Sequence, residues 1–132
     1  MQAVVYKKDL IHPQLSYKIV GALFEVFKQL GSGLEEKHYQ RAVAAELKRI
    51  GLSFREQVYL SLKYKEEKIG SYYLDFLIEN QVVLELKKNS GTSKQNIDQV
   101  NDYLQAYGLS LGIIANFTRE GVRFKRIVNI YD

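Results

Sequence analysis

Asp75, Glu85 and Lys87 stand in two short runs, YYLDFLIE (72–79) and QVVLELKK (81–88), in which apolar and polar residues alternate. Tyr72, Leu74, Phe76, Ile78, Val82, Leu84 and Leu86 take the even positions, and the two acids and the amine take odd ones. Alternation with period two sends the classes to opposite faces of a strand. The apolar rows meet when Phe76 pairs with Leu84, which calls for an odd connection. A Glu79-Asn80-Gln81 loop with Asn80 at φ > 0 supplies it. This register sets Asp75 opposite Glu85, with Lys87 further along the same side. Two carboxylates so close repel unless a proton, an ammonium or a metal ion sits between them. With oxygen donors alone, a hard divalent cation such as Mg²⁺ is the natural guest. The competing reading, an ordinary solvated face, fits poorly with flanks so apolar that both strands read as central.

The elements that must position these groups can be read from their periods. Ile19, Val20, Leu23, Phe24, Phe27 and Leu30 follow helical spacing and predict a helix over 15–30, capped by Ser16 or a neighbour. Gly21 inside it costs about 1 kcal/mol of helix propensity and suggests close packing. Gly31-Ser32-Gly33 ends the helix; it is not a dinucleotide fingerprint, since no strand precedes it and Glu36 holds the sixth place of the frame. A second helix over 34–50 carries Leu34, Val43, Leu47 and Ile50, with Glu36 and Tyr39 at the edge of its buried face. An acid near a helix start suits the macrodipole, but Glu35 already fills that role, which leaves Glu36 as a candidate functional residue.

After Gly51 the pattern turns to strands: 54–64, a turn at Lys65-Glu66-Glu67-Lys68, and a return over 69–78, which with the hairpin makes a meander. Thr92 or Ser93 caps a third helix over 94–107, where Ile97, Val100 and Leu104 form the apolar line and Gln99 and Tyr103 an i, i+4 pair beside it. The run 109–117 is an interior strand paired parallel to a neighbour, because a helical crossover leads into it, and 122–130 closes as a basic edge strand. The order predicts one α/β domain with a mixed sheet.

With 132 residues the chain holds one core, read as an N-terminal extension over 1–13, where Val4, Val5, Leu10 and Ile11 tuck against the body, and a domain over 14–132. Hydrophobic content of 46 % and charged content of 26 % describe a soluble globule. The absence of cysteine excludes disulfides, thiolate zinc sites, iron–sulfur clusters and cysteine nucleophiles. No signal-peptide core and no long apolar run is present, so the expectation is an intracellular, cytoplasmic protein with no membrane partner. A formal charge of +4 is compatible with a polyanionic partner. Ten tyrosines without tryptophan suit wet-edged grooves and interfaces. The wide apolar arc of the first helix leaves a homodimer or a protein partner open.

Gly33-Leu34-Glu35-Glu36-Lys37-His38-Tyr39 reads G-x-x-E-x-x-Y and resembles the signature of the bacterial GxxExxY proteins, which belong to the PD-(D/E)XK nuclease superfamily. Asp75 followed by Glu85-Leu86-Lys87 is similar to the superfamily motif, with Leu74 in the place of its proline. Gln99-Val100-Asn101-Asp102-Tyr103 resembles the Q-x-x-x-Y element of RecB-type members, and the likeness runs over 16–130. It implies a restriction-endonuclease-like single domain, a mixed central sheet flanked by helices, and a metal-dependent nuclease that hydrolyses phosphodiester bonds in DNA. Asp75, Glu85 and Glu36 would ligate Mg²⁺ or Mn²⁺, Lys87 would orient or deprotonate the attacking water, Gln99 would donate to a phosphate or that water, and Tyr103 would stack or hydrogen-bond beside it. Lys63, Lys65, Lys88, Lys94, Arg119, Arg123, Lys125 and Arg126 would meet backbone phosphates, and His38 reads as a surface residue. Because one scaffold can carry several roles, the alternative is a catalytically inactive module that binds nucleic acid or a protein partner.

Overall fold

The computed structural model describes residues 11–88 and 91–129, so the expectation for Val4, Val5 and Leu10 lies outside it. Along the chain come α1 (Pro13–Leu30), α2 (Glu36–Arg49), β1 (Phe54–Tyr64), β2 (Glu67–Ile78), β3 (Val82–Lys87), α3 (Lys94–Tyr107), β4 (Leu111–Thr118) and β5 (Gly121–Val128). The strands lie side by side in chain order in a sheet of five. Neighbours are antiparallel except β3 and β4, which run parallel because α3 carries the chain back between them. α1 and α2 share a hydrophobic cluster with one face of the sheet, and α3 shares a second cluster with the other. The fold is therefore α/β, a mixed central sheet flanked by helices, consistent with a restriction-endonuclease-like domain.

Local chemistry moves two helix starts from their expected places. α1 begins at Pro13, whose ring pre-sets the helical φ, after His12 in a left-handed conformation (φ 48). Ser16 is not the cap but a buried residue inside the helix. α2 begins only at Glu36, with Glu35 extended before it and Leu34 packed against the core from outside the helix. Ser93 caps α3 as expected, accepting from Asn96 N at 3.0 Å. Tyr39 is not at an edge but fully buried, its hydroxyl donating to Gly31 O at 2.6 Å and its ring stacked on Phe117 at 4.1 Å.

The β2–β3 hairpin has the expected register, Phe76 with Leu84 and Ile78 with Val82. Asn80 takes φ 56, and Glu79 joins it at φ 54, held by its carboxylate accepting from Ser53 N at 2.7 Å. The β1–β2 turn is tighter than expected. Only Lys65 and Glu66 form it, both at positive φ, while Glu67 and Lys68 pair with Tyr64 and Lys63 across a register shift at Leu62.

Strict alternation fails at one place in this ribbon. Phe54, Phe76 and Ile78 join the α1–α2 cluster, yet Val58, Leu60, Tyr72 and Leu74, of the same parity, join the α3 cluster. The ribbon rolls over between them. Gln57 (φ 53) stands at the rollover on β1, and Asp75 stands there on β2. A left-handed residue inside a strand re-aims the side chains that follow.

Two glycines differ in what they allow. A Cβ on Gly112 would lie 2.4 Å from Val100 Cγ1, so α3 rests directly on β4 there. Gly21, expected at a close approach, has nothing within 4 Å of such an atom and is exposed. Gly112→Ala should cost about 1–3 kcal/mol, because valine has little rotamer freedom in a helix to yield with, and Val100→Ala in the same chain should recover part of the loss. Gly21→Ala should add about 1 kcal/mol. Urea denaturation of the four proteins checks both signs.

Candidate active site

β2 and β3 pair only from Ile78 to Phe76; beyond that point β2 stays with β1 while β3 stays with β4 as far as Lys87. The two central strands part, and backbone N–H groups facing the gap lose their ladder partners. Buried N–H groups must be bonded, and here two acids do it. Asp75 N donates to Glu85 Oε1 at 2.9 Å, and Leu86 N donates to Asp75 Oδ2 at 2.8 Å. Each carboxylate thus has one oxygen fixed by the opposite strand. Of the second oxygens, Asp75 Oδ1 meets Gln57 Nε2 at a long 3.5 Å, and Glu85 Oε2 faces Lys87 Nζ at 3.4 Å.

The electrostatics follow from this enclosure. Burial pushes the Glu85 carboxyl up to about 7, and the adjacent Asp75 charge adds to the push. Burial also raises Asp75 above the usual carboxylate range, against the pull of the Leu86 N–H, and the negative charge of Glu36 contributes to the rise. One ammonium stands against two enclosed carboxylates. Hard oxygens carrying uncompensated negative charge suit a hard divalent cation, and Asp75 with Glu85 could hold one. Among the described residues no group of three or more His, Asp or Glu side chains forms a ready cation cage. Glu36, exposed at the start of α2, is brought to the end of β3, where its Oε2 accepts from Lys88 N at 3.1 Å.

Two residues that sequence reasoning passed over tie α2 to this place. Gln40 Nε2 donates to Glu56 Oε1 at 3.2 Å, and Gln57 Nε2 donates to Gln40 Oε1 at 3.1 Å. Gln40 lies one helical turn beyond Glu36, a spacing that could have flagged it; the backbone of Gln57 left no trace in the sequence. Gln99 and Tyr103 lie on α3 and make no hydrogen bond to Asp75 or Glu85. Gln99 lines a groove of about 550 Å³ with Tyr72, Lys94, Asp98 and Asp102. Tyr103 is buried, its ring 4.5 Å from that of Tyr107. Lys88 and Arg119 border a hollow of about 410 Å³ with Ser32, Gly33, Phe117 and Glu120. Lys63, Lys65, Arg123 and Lys125 are exposed, as is His38, while Lys94 pairs with Asp98 at 2.8 Å and Arg126 donates to Ile11 O at 3.0 Å.

The raised Glu85 has a consequence for stability. The folded chain holds this proton more tightly than the unfolded chain, where a glutamic acid titrates at about 4.3. The group's contribution is full below that value and is lost as pH rises through about 7. In metal-stripped protein the loss should be roughly 3 kcal/mol between about pH 4 and about pH 8. Glu85→Gln keeps an acceptor for the Asp75 N–H and should flatten this part of the profile. Denaturant titrations in EDTA across that range check it, and a profile shared by both proteins would count against the assignment.

The family model of the PD-(D/E)XK nuclease superfamily matches residues 13–127. No curated protein matches the chain. Among solved structures, the crystal structure of SSO0001 is similar at 13 % identity, with 89 % of this chain and 78 % of that chain covered and a TM-score of 0.42. The family match begins at the first residue of α1 and ends one residue short of the end of β5. The chain belongs to the PD-(D/E)XK nuclease superfamily.

Proposed function

We propose that this domain is a metal-dependent nuclease that hydrolyses phosphodiester bonds, with DNA as its substrate. The observation that carries the reading is the pair Asp75 and Glu85, each fixed through one oxygen by the opposite strand, with Lys87 Nζ 3.4 Å from Glu85. Asp75 and Glu85 would hold Mg²⁺ or Mn²⁺, which when bound supplies positive charge against the oxygens of a phosphodiester under attack. Lys87 would orient the attacking water and hold or move a proton at Nζ. Glu36, one oxygen of which accepts from Lys88 N, would complete the coordination through its other oxygen, directly or through water. Gln99 and Tyr103 would meet phosphate or water from α3. The exposed Phe24 and Leu30 of α1 leave room for a second copy or a protein partner. Among the described residues no helix is long and apolar enough to cross a membrane, and the cytoplasm is the proposed place of action.

The second reading, a catalytically inactive module that binds nucleic acid or a partner, is favoured by one observation: Glu36 is held by Lys88 and does not close a cage of three acids. Incubation with linear, nicked, branched and single-stranded DNA in Mg²⁺ or Mn²⁺ separates the two. Cleavage is expected, with Asp75→Asn, Glu85→Gln and Lys87→Ala each slowing it at least about 100-fold while the variants remain folded by circular dichroism. Parent-like rates in Glu85→Gln or Lys87→Ala would sink the mechanism. Salt-dependent binding that ignores EDTA, with no cutting, would favour the inactive module.

A further inference from the structure

The outer half of the β1–β2 ribbon carries two aromatic rings that the core does not use. Tyr59 and Tyr73 are cross-strand partners with ring centroids 5.4 Å apart, and they are 38 % and 55 % exposed. Val58, Leu60, Tyr72 and Leu74 on either side of them enter the α3 cluster, so alternation leaves the two rings on the opposite face. The next pair on that face is Ser61 with Ser71, and Lys68 Nζ lies 5.3 Å from the Tyr59 ring. Lys68 foremost, with Ser61 and Ser71, lies close enough to the Tyr59 phenol to hold it below the usual phenol range. Lys63 pairs directly with Lys68. Like charges set opposite each other across strands destabilise a bare sheet and favour an anion above it.

This face adjoins the candidate site. Tyr73 precedes Asp75 by two residues on β2, about 7 Å along a strand, and Tyr59 follows Gln57 by two on β1. We propose that it binds a single-stranded segment of nucleic acid beside the carboxylates, with bases stacked on Tyr73 and Tyr59 and a backbone phosphate on Lys68, Ser61 and Ser71. Its role as the substrate arm of that site rests on the nuclease reading. A duplex hides its base faces in its own stack, so only unstacked bases can use exposed rings. An ammonium on the same face as two hydroxyl donors complements phosphate oxygens.

The test is fluorescence anisotropy in EDTA, where nothing is cut, with fluorescein-labelled oligo(dT), oligo(rU) of equal length and a blunt duplex. At least one single strand should bind roughly tenfold tighter than the duplex, and the tighter of the two names the sugar. Tyr73→Ala and Tyr59→Ala should each weaken that binding roughly tenfold, whereas the phenylalanine variants retain it. Lys68→Gln should reduce the slope of log affinity against log salt by about 0.7. Alanine variants that bind like the parent, equal affinity for duplex, or no binding to any probe would overturn the inference. A parent that binds as described yet cuts nothing in Mg²⁺ or Mn²⁺ would remove the nuclease reading and leave this one. A parent that cuts single strands with a KM unchanged by the alanine variants would do the reverse.

Discussion

Where the two central strands separate, acid side chains take over the work of the backbone ladder. Asp75 and Glu85 each satisfy an N–H of the facing strand, and neither can swing away without leaving a buried donor unbonded, at about 1–3 kcal/mol. The acids are therefore as well placed as the sheet itself. Enclosure in the gap makes their charged forms unfavourable, against the pull of those same N–H groups. Structural need and chemical potential arise here from one arrangement.

The rest of the domain secures that arrangement from both sides. Tyr39 anchors the start of α2 by bonding Gly31 and stacking on Phe117 of β4, which holds Glu36 at the end of β3. Gln40 and Gln57 bridge α2 to β1 at the level of Asp75. On the other face, Gly112 lets α3 sit against the sheet, so the parallel pairing of β3 with β4 is backed by a helix in direct contact.

Much of this was legible in the chain because it depends on local rules. Period two and an odd loop gave the hairpin register; helical spacing, a serine cap and a terminal glycine gave α3; and the acids with the lysine stood out as charges in an apolar setting. The rollover of the β1–β2 ribbon was not legible. Leu74 and Phe76 have the parity of one face yet enter different cores, and the residue across from them at the switch is a left-handed glutamine, Gln57. Glutamine carries no compositional mark of such a conformation, as glycine or asparagine would. The capture of Glu36 by the Lys88 amide spans a long stretch of chain and leaves no periodic signal. Helical spacing put Tyr39 at the edge of the α2 stripe, but it could not show that its hydroxyl has a carbonyl of the preceding loop as partner, which lets the ring be buried.

Strand order that follows chain order also bears on how the molecule assembles. Three of the four pairings close through tight turns, and only β3 with β4 must wait for a helix to cross over. Loop-closure entropy is small for such neighbours, and low contact order goes with rapid folding. The acids lie just past the last β2–β3 pair, and Glu85 is laddered to Ile114 of β4, so the frame of the acid pair closes only once the crossover helix has brought β4 alongside.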